Sequence, residues 1–502
     1  MVMRGMVAAF TLAAAVPAAA QSVTIDTGRL QGSAQDGVTA FLGIPYAAAP
    51  VGALRWRAPQ RPARWAGVRD AMRPGPSCPQ VLSSPTQLSP LGETSEDCLF
   101  LNVTAPAARG TKRPVMVWVH GGGFIAGSGS EAHFDGRALA RRGVILVTVN
   151  YRLGRLGFFA HPALEAEQKG EARGNYGLMD QIAALQWVKR NIAAFGGDPN
   201  NVTLFGQSAG GISTLMLTAN RQARGLFHKA IILSGTTLQP PRDIAVDRPD
   251  KPAALTLGKA WARRITGEAN PTAATLRALP VEKIAPPAPA MADVMELLAA
   301  ASPMMDGQLI VESPWTTLTR DGVRVPLIVG STSRDTLVWS FADGKAQTFP
   351  FWSPPPNQIP ANITDRAGFA ADLLFGAGAF RLAELAARGR GAWLYHFDTV
   401  PAPLRATIDG SPHGTELFYA FGTLDRFPYH PEQIDADDRK VSDAMLDFFT
   451  AFAKSGKPAS PAIWPTFTGN APRYMHFTPP EVRAVPVSDA AALRSIVQAS
   501  NP

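Results

Sequence analysis

The chain has 502 residues, of which 46% are hydrophobic and 18% are charged, and its formal net charge is +8. This composition excludes an intrinsically disordered chain and a bundle of membrane helices, and the length allows a large buried core. The Arg and Lys residues are scattered, without a run of five or more, which favours a basic solvated surface over a nucleic-acid partner.

Residues 1–20 have the pattern of a secretory signal peptide. Arg4 supplies a positive charge, residues 6–16 form a short apolar stretch, and three alanines ending at Ala20 form a small-residue cleavage site. No later segment reaches the roughly 18 uncharged apolar residues of a membrane span. A retained N-terminal anchor is the alternative. We therefore expect an exported protein, periplasmic or secreted, in which residues 21–502 form a single domain without a stable membrane span.

The chain contains two cysteines, Cys78 and Cys98. An oxidising compartment would favour their pairing, and closing a loop of this length would stabilise the fold by about 3 kcal/mol. Two free buried thiols are the alternative. Two cysteines without nearby histidines are too few ligands for zinc, so we expect no metal site.

The segment from about residue 23 to residue 106 is rich in turns and short strand-like stretches, which predicts antiparallel strands with long loops. After it, apolar β-branched runs predict strands buried on both faces, and a periodic apolar pattern predicts a helix over 179–195 that ends before a Gly-Gly-Asp-Pro turn. This alternation is typical of an α/β protein with a mainly parallel sheet between helices. The predicted buried strands are 114–120, 144–151, 201–206, 229–235, 326–331 and 392–397.

Two stretches interrupt this alternation. Residues 239–305 are helical in pattern but rich in Ala and Pro, and residues 342–363 are Pro-rich and predicted to be irregular. We expect both to lie above the sheet, where binding loops usually occur. No internal repeat is apparent, which favours one domain.

A single G-x-S-x-G motif spans Gly206 to Gly210, between an apolar strand and an apolar helix. In this setting the motif indicates a nucleophile on a strained strand-to-helix turn, where glycines permit close backbone approach. A structural glycine-rich turn is the alternative. The pattern identifies Ser208 as the candidate nucleophile.

A second motif, His-Gly-Gly-Gly-Phe from His120 to Phe124, directly follows a predicted buried strand. Such a loop offers backbone amides to a developing oxyanion, and each donor can contribute about 3 kcal/mol to transition-state stabilisation. A plain tight turn is the alternative. We expect the donors to be Gly122, Gly123 and Ala209.

The serine needs a base to accept its proton. In enzymes with a G-x-S-x-G nucleophile turn, the acid and then the histidine come after the serine along the chain. His413 lies in a loop shortly after a predicted strand, which favours it, and His430 is its competitor. The candidate histidines are His228, His396, His413, His430 and His476.

The sequence resembles the type-B carboxylesterase family, which includes cholinesterases and bacterial para-nitrobenzyl esterases. The resemblance runs from about Thr27 to the end and includes FLGIPYAAAPVGALRWRAPQ, SEDCLFLNV, VWVHGGGFIAGS, GNYGLMDQIAALQWVKRNIAAFGGDPNNVTLFGQSAGG and SPHGTELFYAFG. It implies an α/β-hydrolase fold, a small-molecule ester as substrate, and a reaction that needs neither a metal nor an organic cofactor.

The resemblance also implies roles for individual residues. It identifies Ser208 as the nucleophile and His413 as the base, and it matches a disulfide to Cys78 and Cys98. Ser234 corresponds to a serine that often supports the acid of the triad. The family's oxyanion hole corresponds to Gly122, Gly123 and Ala209.

The acid is the point at which this sequence departs from the family. The family usually reads G-x-x-x-D-E-G, whereas Gly330 begins the stretch GSTSRDT, which places Asp335 at the position of the family's Glu. Aspartate can also orient an imidazole, but its side chain is one methylene shorter, so the loop must come closer. Asp306 and Asp343 are the alternatives.

Features near the predicted nucleophile limit the classes of ester that the protein could bind. Cholinesterases have Glu where this chain has Gln207, and they carry an aromatic residue for cation–π binding in the cysteine loop, which has none here. A general or aryl carboxylesterase is therefore favoured. The alternatives are a specialised esterase for a bulky natural product, phenolic ester or polyester, and a catalytically inactive binding module. Apolar residues that could line the pocket, if they do not pack in the core, are Trp315, Trp339, Phe341 and Trp352.

Overall fold

The computed structural model describes residues 19–81, 92–108, 112–339, 346–348 and 365–500. The strands of this part of the chain are β1 (Ala19–Ile25), β2 (Gly28–Gln35), β3 (Val38–Pro45), β4 (Val68–Asp70), β5 (Phe100–Pro106), β6 (Arg113–Val119), β7 (Ile145–Val149), β8 (Gly197–Gln207), β9 (Lys229–Leu233), β10 (Arg242–Asp243), β11 (Met304–Met305), β12 (Leu327–Thr332), β13 (Leu337–Trp339), β14 (Ala346–Thr348), β15 (Ala392–Phe397), β16 (Arg473–Phe477) and β17 (Arg483–Pro486).

The α-helices are α1 (Arg137–Arg141), α2 (Gly154–Gly157), α3 (Pro162–Glu167), α4 (Tyr176–Asn191), α5 (Ala209–Ala219), α6 (Ala254–Thr266), α7 (Ala273–Arg277), α8 (Val281–Ile284), α9 (Met291–Ala300), α10 (Pro314–Asp321), α11 (Arg366–Ala371), α12 (Ala377–Ala387), α13 (Glu416–Ala420), α14 (Ala436–Ser455) and α15 (Ala490–Ser500). A π-helical turn, Asp372–Gly376, joins α11 to α12.

Within the described residues, thirteen strands form one sheet with a mixed first half and a parallel second half. The antiparallel strands follow the order β1-β2-β3-β5-β7, as the turn-rich N-terminal sequence predicts. The sheet then continues in parallel through β6, β8, β9, β12, β15 and β16, and it ends on the antiparallel β17. This is the predicted α/β architecture with a mainly parallel centre and an antiparallel N-terminal part.

The central strands bury both faces because their apolar residues are continuous. In β6, Val115, Val117 and Val119 face one apolar core cluster, while Met116 and Trp118 face the other. The period of two along the strand divides the core between the two layers of helices.

The boundaries differ from the prediction at the turn before the nucleophile strand. The α4 helix and a following 3₁₀ turn end at Gly196, which adopts a left-handed conformation with φ 86°. Of the turn predicted at 196–199, only Gly196 is confirmed, because β8 already begins at Gly197, which pairs with Arg113 of β6. The pairing of β8 with β6 shifts register before Val202, where the apolar part of β8 begins. The polar residues before Val202 form the amino-terminal end of β8.

The parallel strands end together at one edge of the sheet. Val119 of β6 pairs with Gly206 of β8, and Leu233 of β9 pairs with both Gln207 and Gly330. Loops that leave the carboxyl ends of parallel strands meet at such an edge, where α/β proteins bind ligands. Both the G-x-S-x-G and the His-Gly-Gly-Gly motifs start there.

The two interruptions of the pattern have different outcomes. Residues 239–305 form helices α6 to α9 between the short strands β10 and β11, so their helical character is confirmed. Most of 342–363 lies outside the described residues. In the described part of the chain, no helix has the length and apolar character needed to cross a membrane.

Candidate active site

Ser208 occupies a strained turn between β8 and α5. Its backbone has φ 56° and ψ −124°, and the residue is 5% exposed. A positive φ at a non-glycine residue costs about 1–3 kcal/mol and persists only where the surroundings enforce it. The Ser208 N–H donates to the Leu233 carbonyl at 3.0 Å, and its carbonyl accepts from Ile212 N at 2.8 Å. The serine is thereby held at the carboxyl edge of the sheet.

The glycines of the motif are required by close packing. A Cβ added at Gly206 would lie 2.4 Å from the carbonyl oxygen of Gly210, and one added at Gly210 would lie 2.0 Å from that of Val119. Both distances are far below van der Waals contact, so a larger residue would push α5 away from β6. The motif therefore permits the sharp turn that places Ser208 at the sheet edge.

The glycine loop after β6 lies directly beside the serine. A Cβ added at Gly121 would be 3.2 Å from the Ser208 Cβ. Gly122 and Gly123 adopt positive φ angles of 98° and 62°. No carbonyl or side chain among the described residues accepts the N–H of Gly122 or Gly123. Ala209 is the first residue of α5, directly after Ser208, so the three residues predicted as oxyanion donors lie in the two segments that meet at the serine.

His120 supports this loop and is uncharged. Its ring stacks on Tyr151 with centroids 4.4 Å apart, and its Nδ1 lies 2.8 Å from the Gly121 carbonyl. Burial lowers the pKa of His120 to about 4. The side chain therefore fixes the backbone of the glycine loop without adding a charge near the serine.

Two of the candidate histidines lie away from the serine. His228 precedes β9 at the amino end of the sheet, where its Nδ1 accepts the Val202 N–H at 3.2 Å. His430 has a side chain that is 66% exposed, and its Nδ1 lies 3.0 Å from Glu432. These contacts pair His228 with the start of the β8 apolar segment and His430 with a neighbouring surface carboxylate.

His396 and His476 occupy the neighbouring strands β15 and β16. Their ring centroids are 5.8 Å apart, and His476 Nε2 lies 3.5 Å from Asp398. Burial lowers the pKa of His396. These contacts join the two rings to each other and to the Asp398 carboxylate.

His413 is the histidine that the structure places beside the strand-to-helix turn of Ser208. Its Nδ1 lies 2.7 Å from Asp335 Oδ1, and its Nε2 lies 3.0 Å from the side-chain nitrogen of Gln207, the residue before Ser208. Asp335 is fully buried, and its Oδ2 accepts the Thr332 N–H at 2.9 Å. The arrangement gives the imidazole one nitrogen on a carboxylate and the other directed toward the nucleophile turn.

The loops that carry Asp335 and His413 are tied together, which accommodates the shorter acidic side chain. Arg334 N donates to the Ser411 carbonyl at 3.0 Å, and His413 N donates to the Leu337 carbonyl at 2.9 Å. Ser411 N also donates to the Ser333 hydroxyl at 2.8 Å. These hydrogen bonds connect the two loops on both sides of Asp335.

Of the two alternative acids, the structure describes Asp306, and it places that carboxylate in a different turn. Asp306 accepts the backbone N–H groups of Leu309, Ile310 and Arg173, at 2.9, 2.8 and 3.1 Å, so it stabilises a turn. Asp343 lies outside the described residues.

A second buried carboxyl, Glu416, lies next to Asp335 and was missed by sequence reasoning. The Ser234 hydroxyl donates to Glu416 Oε1 at 3.3 Å, so any support from Ser234 to Asp335 passes through Glu416. Burial, followed by the negative charge of Asp335, raises the pKa of Glu416 to about 8. Its position three residues after His413, at the start of α13, is the signal that could have indicated it.

Glu416 predicts a pH-dependent stability. Its pKa of about 8 in the folded state exceeds the value near 4.3 of an unfolded chain, so stability falls as pH rises between these two values. Replacing Glu416 with Gln removes this loss. We expect E416Q to gain about 1–3 kcal/mol over the wild type at pH 7.5 and almost nothing at pH 4.5.

Urea unfolding of both proteins at the two pH values measures the gain. E312Q is the control, because Glu312 is only partly buried and its hydrogen bond to Thr317 lowers its pKa. An equal stability difference at both pH values would show that Glu416 is ionised in the folded state.

An aromatic residue, Phe375, also contacts the imidazole. Its ring stacks on His413 with centroids 5.4 Å apart and planes at 15°. Phe375 lies in the π-helical turn, and its carbonyl accepts from the Thr236 hydroxyl at 2.8 Å. No local pattern indicates this contact, since the π turn and the histidine loop meet only in the folded protein.

Of the four apolar residues that could line the substrate pocket, the structure describes the side chain of one. Trp315 is almost fully buried and donates its Nε1–H to the Thr237 carbonyl at 3.0 Å, so it packs in the core. The side chains of Trp339, Phe341 and Trp352 lie outside the described residues.

The structure joins Cys78 and Cys98 by a disulfide with Cα atoms 4.9 Å apart. Among the described residues, no group of three acidic, His or Cys side chains could hold a metal ion.

Comparison with known proteins agrees with this geometry. The sequence model of the carboxylesterase family matches residues 19–351 and 347–491. The para-nitrobenzyl esterase of Bacillus subtilis (strain 168) is 34% identical over 89% of this chain and 92% of its own. The fumonisin B1 esterase of Sphingopyxis macrogoltabida is 34% identical over 91% of this chain and 87% of its own.

Solved structures give the same result. A thermophilic PNB esterase is similar with a TM-score of 0.80 and 30% identity, and the match covers 95% of this chain and 99% of that one. The chain therefore belongs to the carboxylesterase family, has the α/β-hydrolase fold, and is a carboxylic ester hydrolase.

Proposed function

We propose that this hydrolase cleaves small-molecule carboxylic esters through an acyl-enzyme, with Ser208 as nucleophile, His413 as base and Asp335 as acid. The observation that carries the proposal is the 2.7 Å contact between His413 and Asp335, next to a serine at φ 56°. An ionised carboxylate on Nδ1 leaves Nε2 able to accept a proton and stabilises the imidazolium that forms.

The reaction proceeds in two halves. Ser208 Oγ attacks the ester carbonyl while its proton passes to His413 Nε2, and the resulting oxyanion is held by the N–H groups of Gly122, Gly123 and Ala209. The C–O bond to the alcohol breaks as Nε2 returns the proton to the leaving oxygen. Water then attacks the acyl-enzyme by the same route, releases the carboxylic acid and restores Ser208.

We propose aryl and simple alkyl esters as the substrate class. Support comes from the similarity to the para-nitrobenzyl esterase and to the phenmedipham hydrolase of Pseudarthrobacter oxydans, which is 33% identical over 89% of this chain. The equally similar fumonisin B1 esterase favours a second candidate, a bulky natural-product ester.

A panel of substrates distinguishes the two candidates. It comprises para-nitrophenyl acetate, para-nitrophenyl butyrate, a para-nitrobenzyl ester and a bulky polycarboxylate ester, with S208A as the blank. We expect kcat/KM to be highest for the short aryl esters. A preference for the polycarboxylate ester would support the second candidate, and turnover by S208A equal to the wild type would refute the mechanism.

We also propose that the protein is exported and that residues 21–502 form one α/β-hydrolase domain. Support comes from the signal-peptide pattern, from the disulfide, and from a sheet to which strands contribute from β1 to β17. Cleavage after Ala20 would remove two residues of β1 and leave the pairing of Gln21 with Gly32 intact. The mass of the mature N-terminal peptide from an expressing cell tests this proposal.

A further inference from the structure

The side chain of Gln207 lies between the glycine loop and the histidine. Gln207 is the last residue of β8 and is 3% exposed. Its Nε2 lies 3.0 Å from His413 Nε2, the nitrogen that the proposed mechanism needs as proton acceptor. A Cβ added at Gly121 would lie 2.9 Å from Gln207 Oε1, so the carboxamide fits because position 121 has no side chain.

The chemistry of the ring determines the direction of this hydrogen bond. Asp335 lies 2.7 Å from His413 Nδ1, and an ionised carboxylate only accepts, so Nδ1 carries the hydrogen. A neutral imidazole with hydrogen on Nδ1 has a lone pair on Nε2. Gln207 therefore donates its amide N–H to the unprotonated Nε2.

We propose that Gln207 is a positioning residue for the base, which caps the unprotonated Nε2 of His413 in the resting enzyme and keeps the imidazole directed at the nucleophile turn. The inference rests on the proposed function. When Nε2 takes the Ser208 proton it becomes a donor, and a carboxamide can then turn its Oε1 toward it. An uncharged amide can thus serve both protonation states of the base.

A carboxylate at this position would act differently. It has no hydrogen to donate to the neutral ring, and a negative charge about 3–4 Å from Nε2 strongly favours imidazolium. The base would then be protonated, and the enzyme inactive, at a higher pH than in the wild type.

Other ionisable groups face the same region and bear on this pH dependence. Asp335 contacts Nδ1, and Glu416 lies next to Asp335 with a raised pKa, caused by burial and then by the Asp335 charge. Burial, with the charges of Glu416 and Asp335, also raises the pKa of Tyr395. On the π turn beside Phe375, burial and the charges of Asp489 and Asp335 raise the pKa of Asp372. The Q207E variant leaves all these residues in place.

The test compares the pH dependence of kcat/KM for the wild type and Q207E with a para-nitrophenyl ester. We expect the midpoint of the acidic limb to move up by about 1–3 pH units in Q207E. Q181E is the matched control: Gln181 is also buried, but its side chain donates to Ser213 between α4 and α5. Its acidic limb should stay at the wild-type position. An acidic limb in Q207E that coincides with the wild type would overturn the proposal.

A second variant, Q207M, keeps the bulk of the side chain and removes its hydrogen bond. We expect kcat to fall about tenfold with KM unchanged, since a less well placed base slows only the chemical step. Wild-type kcat in Q207M would also overturn the proposal. Both outcomes are distinguishable from failure of the proposed function, in which the wild type itself would show no turnover that depends on Ser208.

Discussion

Replacing Asp335 with Asn is expected to lower kcat by about 10⁴-fold while leaving the fold intact. The reason lies in the second oxygen of the carboxylate, Oδ2, which accepts the Thr332 N–H at 2.9 Å. In the Asn variant the single amide oxygen must face Thr332, so the NH₂ group faces His413 Nδ1. The imidazole then carries its hydrogen on Nε2, where it cannot accept the proton of Ser208.

D306N is the matched control for this experiment. Asp306 is also buried, but its carboxylate accepts backbone N–H groups of a turn. We expect D306N to lose stability and to keep the wild-type kcat. Steady-state kinetics give kcat, and thermal melts give the stability, of both variants and of the wild type. Near-wild-type turnover in D335N would assign the acid to another residue.

Replacing Gly122 with Ala is expected to lower kcat by about 10²–10³-fold, the effect of losing an oxyanion donor. Gly122 has φ 98°, which a side chain disfavours, and an added Cβ would lie 2.1 Å from the Ala126 carbonyl oxygen. The loop must therefore shift, and its N–H groups move away from Ser208. Because the donors act mainly on the transition state, KM should change much less than kcat.

G143A separates this effect from simple backbone strain. Gly143 also has a positive φ, 87°, but the nearest atom to an added Cβ is the end of the Arg113 side chain at 3.8 Å. We expect G143A to lose stability with unchanged kcat. A similar loss of kcat in both variants would attribute the effect to global destabilisation, and unchanged kcat in G122A would exclude this loop as the oxyanion hole.

The parts of the site that the sequence predicts are those encoded by neighbouring residues. The turn around Ser208 and the glycine loop after β6 are local structures, whose glycines are required by backbone contacts within or next to the motif. The alternation of buried strands and helices is also local, because it follows from continuous apolar, β-branched runs in the strands and from the helical spacing of apolar residues.

The parts that the sequence does not predict depend on contacts between distant segments. Phe375 reaches the imidazole through a π turn, and no apolar spacing distinguishes that turn from an ordinary helix. The raised pKa of Glu416 results from burial beside Asp335, which the chain brings close only after folding. The sequence shows that Gln207 replaces the Glu of cholinesterases and so removes a negative charge. Its contact with His413 is visible only in the folded structure.

Labelling with a fluorophosphonate probe, followed by peptide mass mapping, tests the central claim most directly, because the reagent reacts with a serine whose proton is removed by a base. We expect one label per folded wild-type molecule, on the peptide that contains Ser208, no label on S208A, and much slower labelling of D335N. A folded wild-type protein that stays unlabelled, or that carries the label on another residue, would contradict the assignment of Ser208 as the nucleophile.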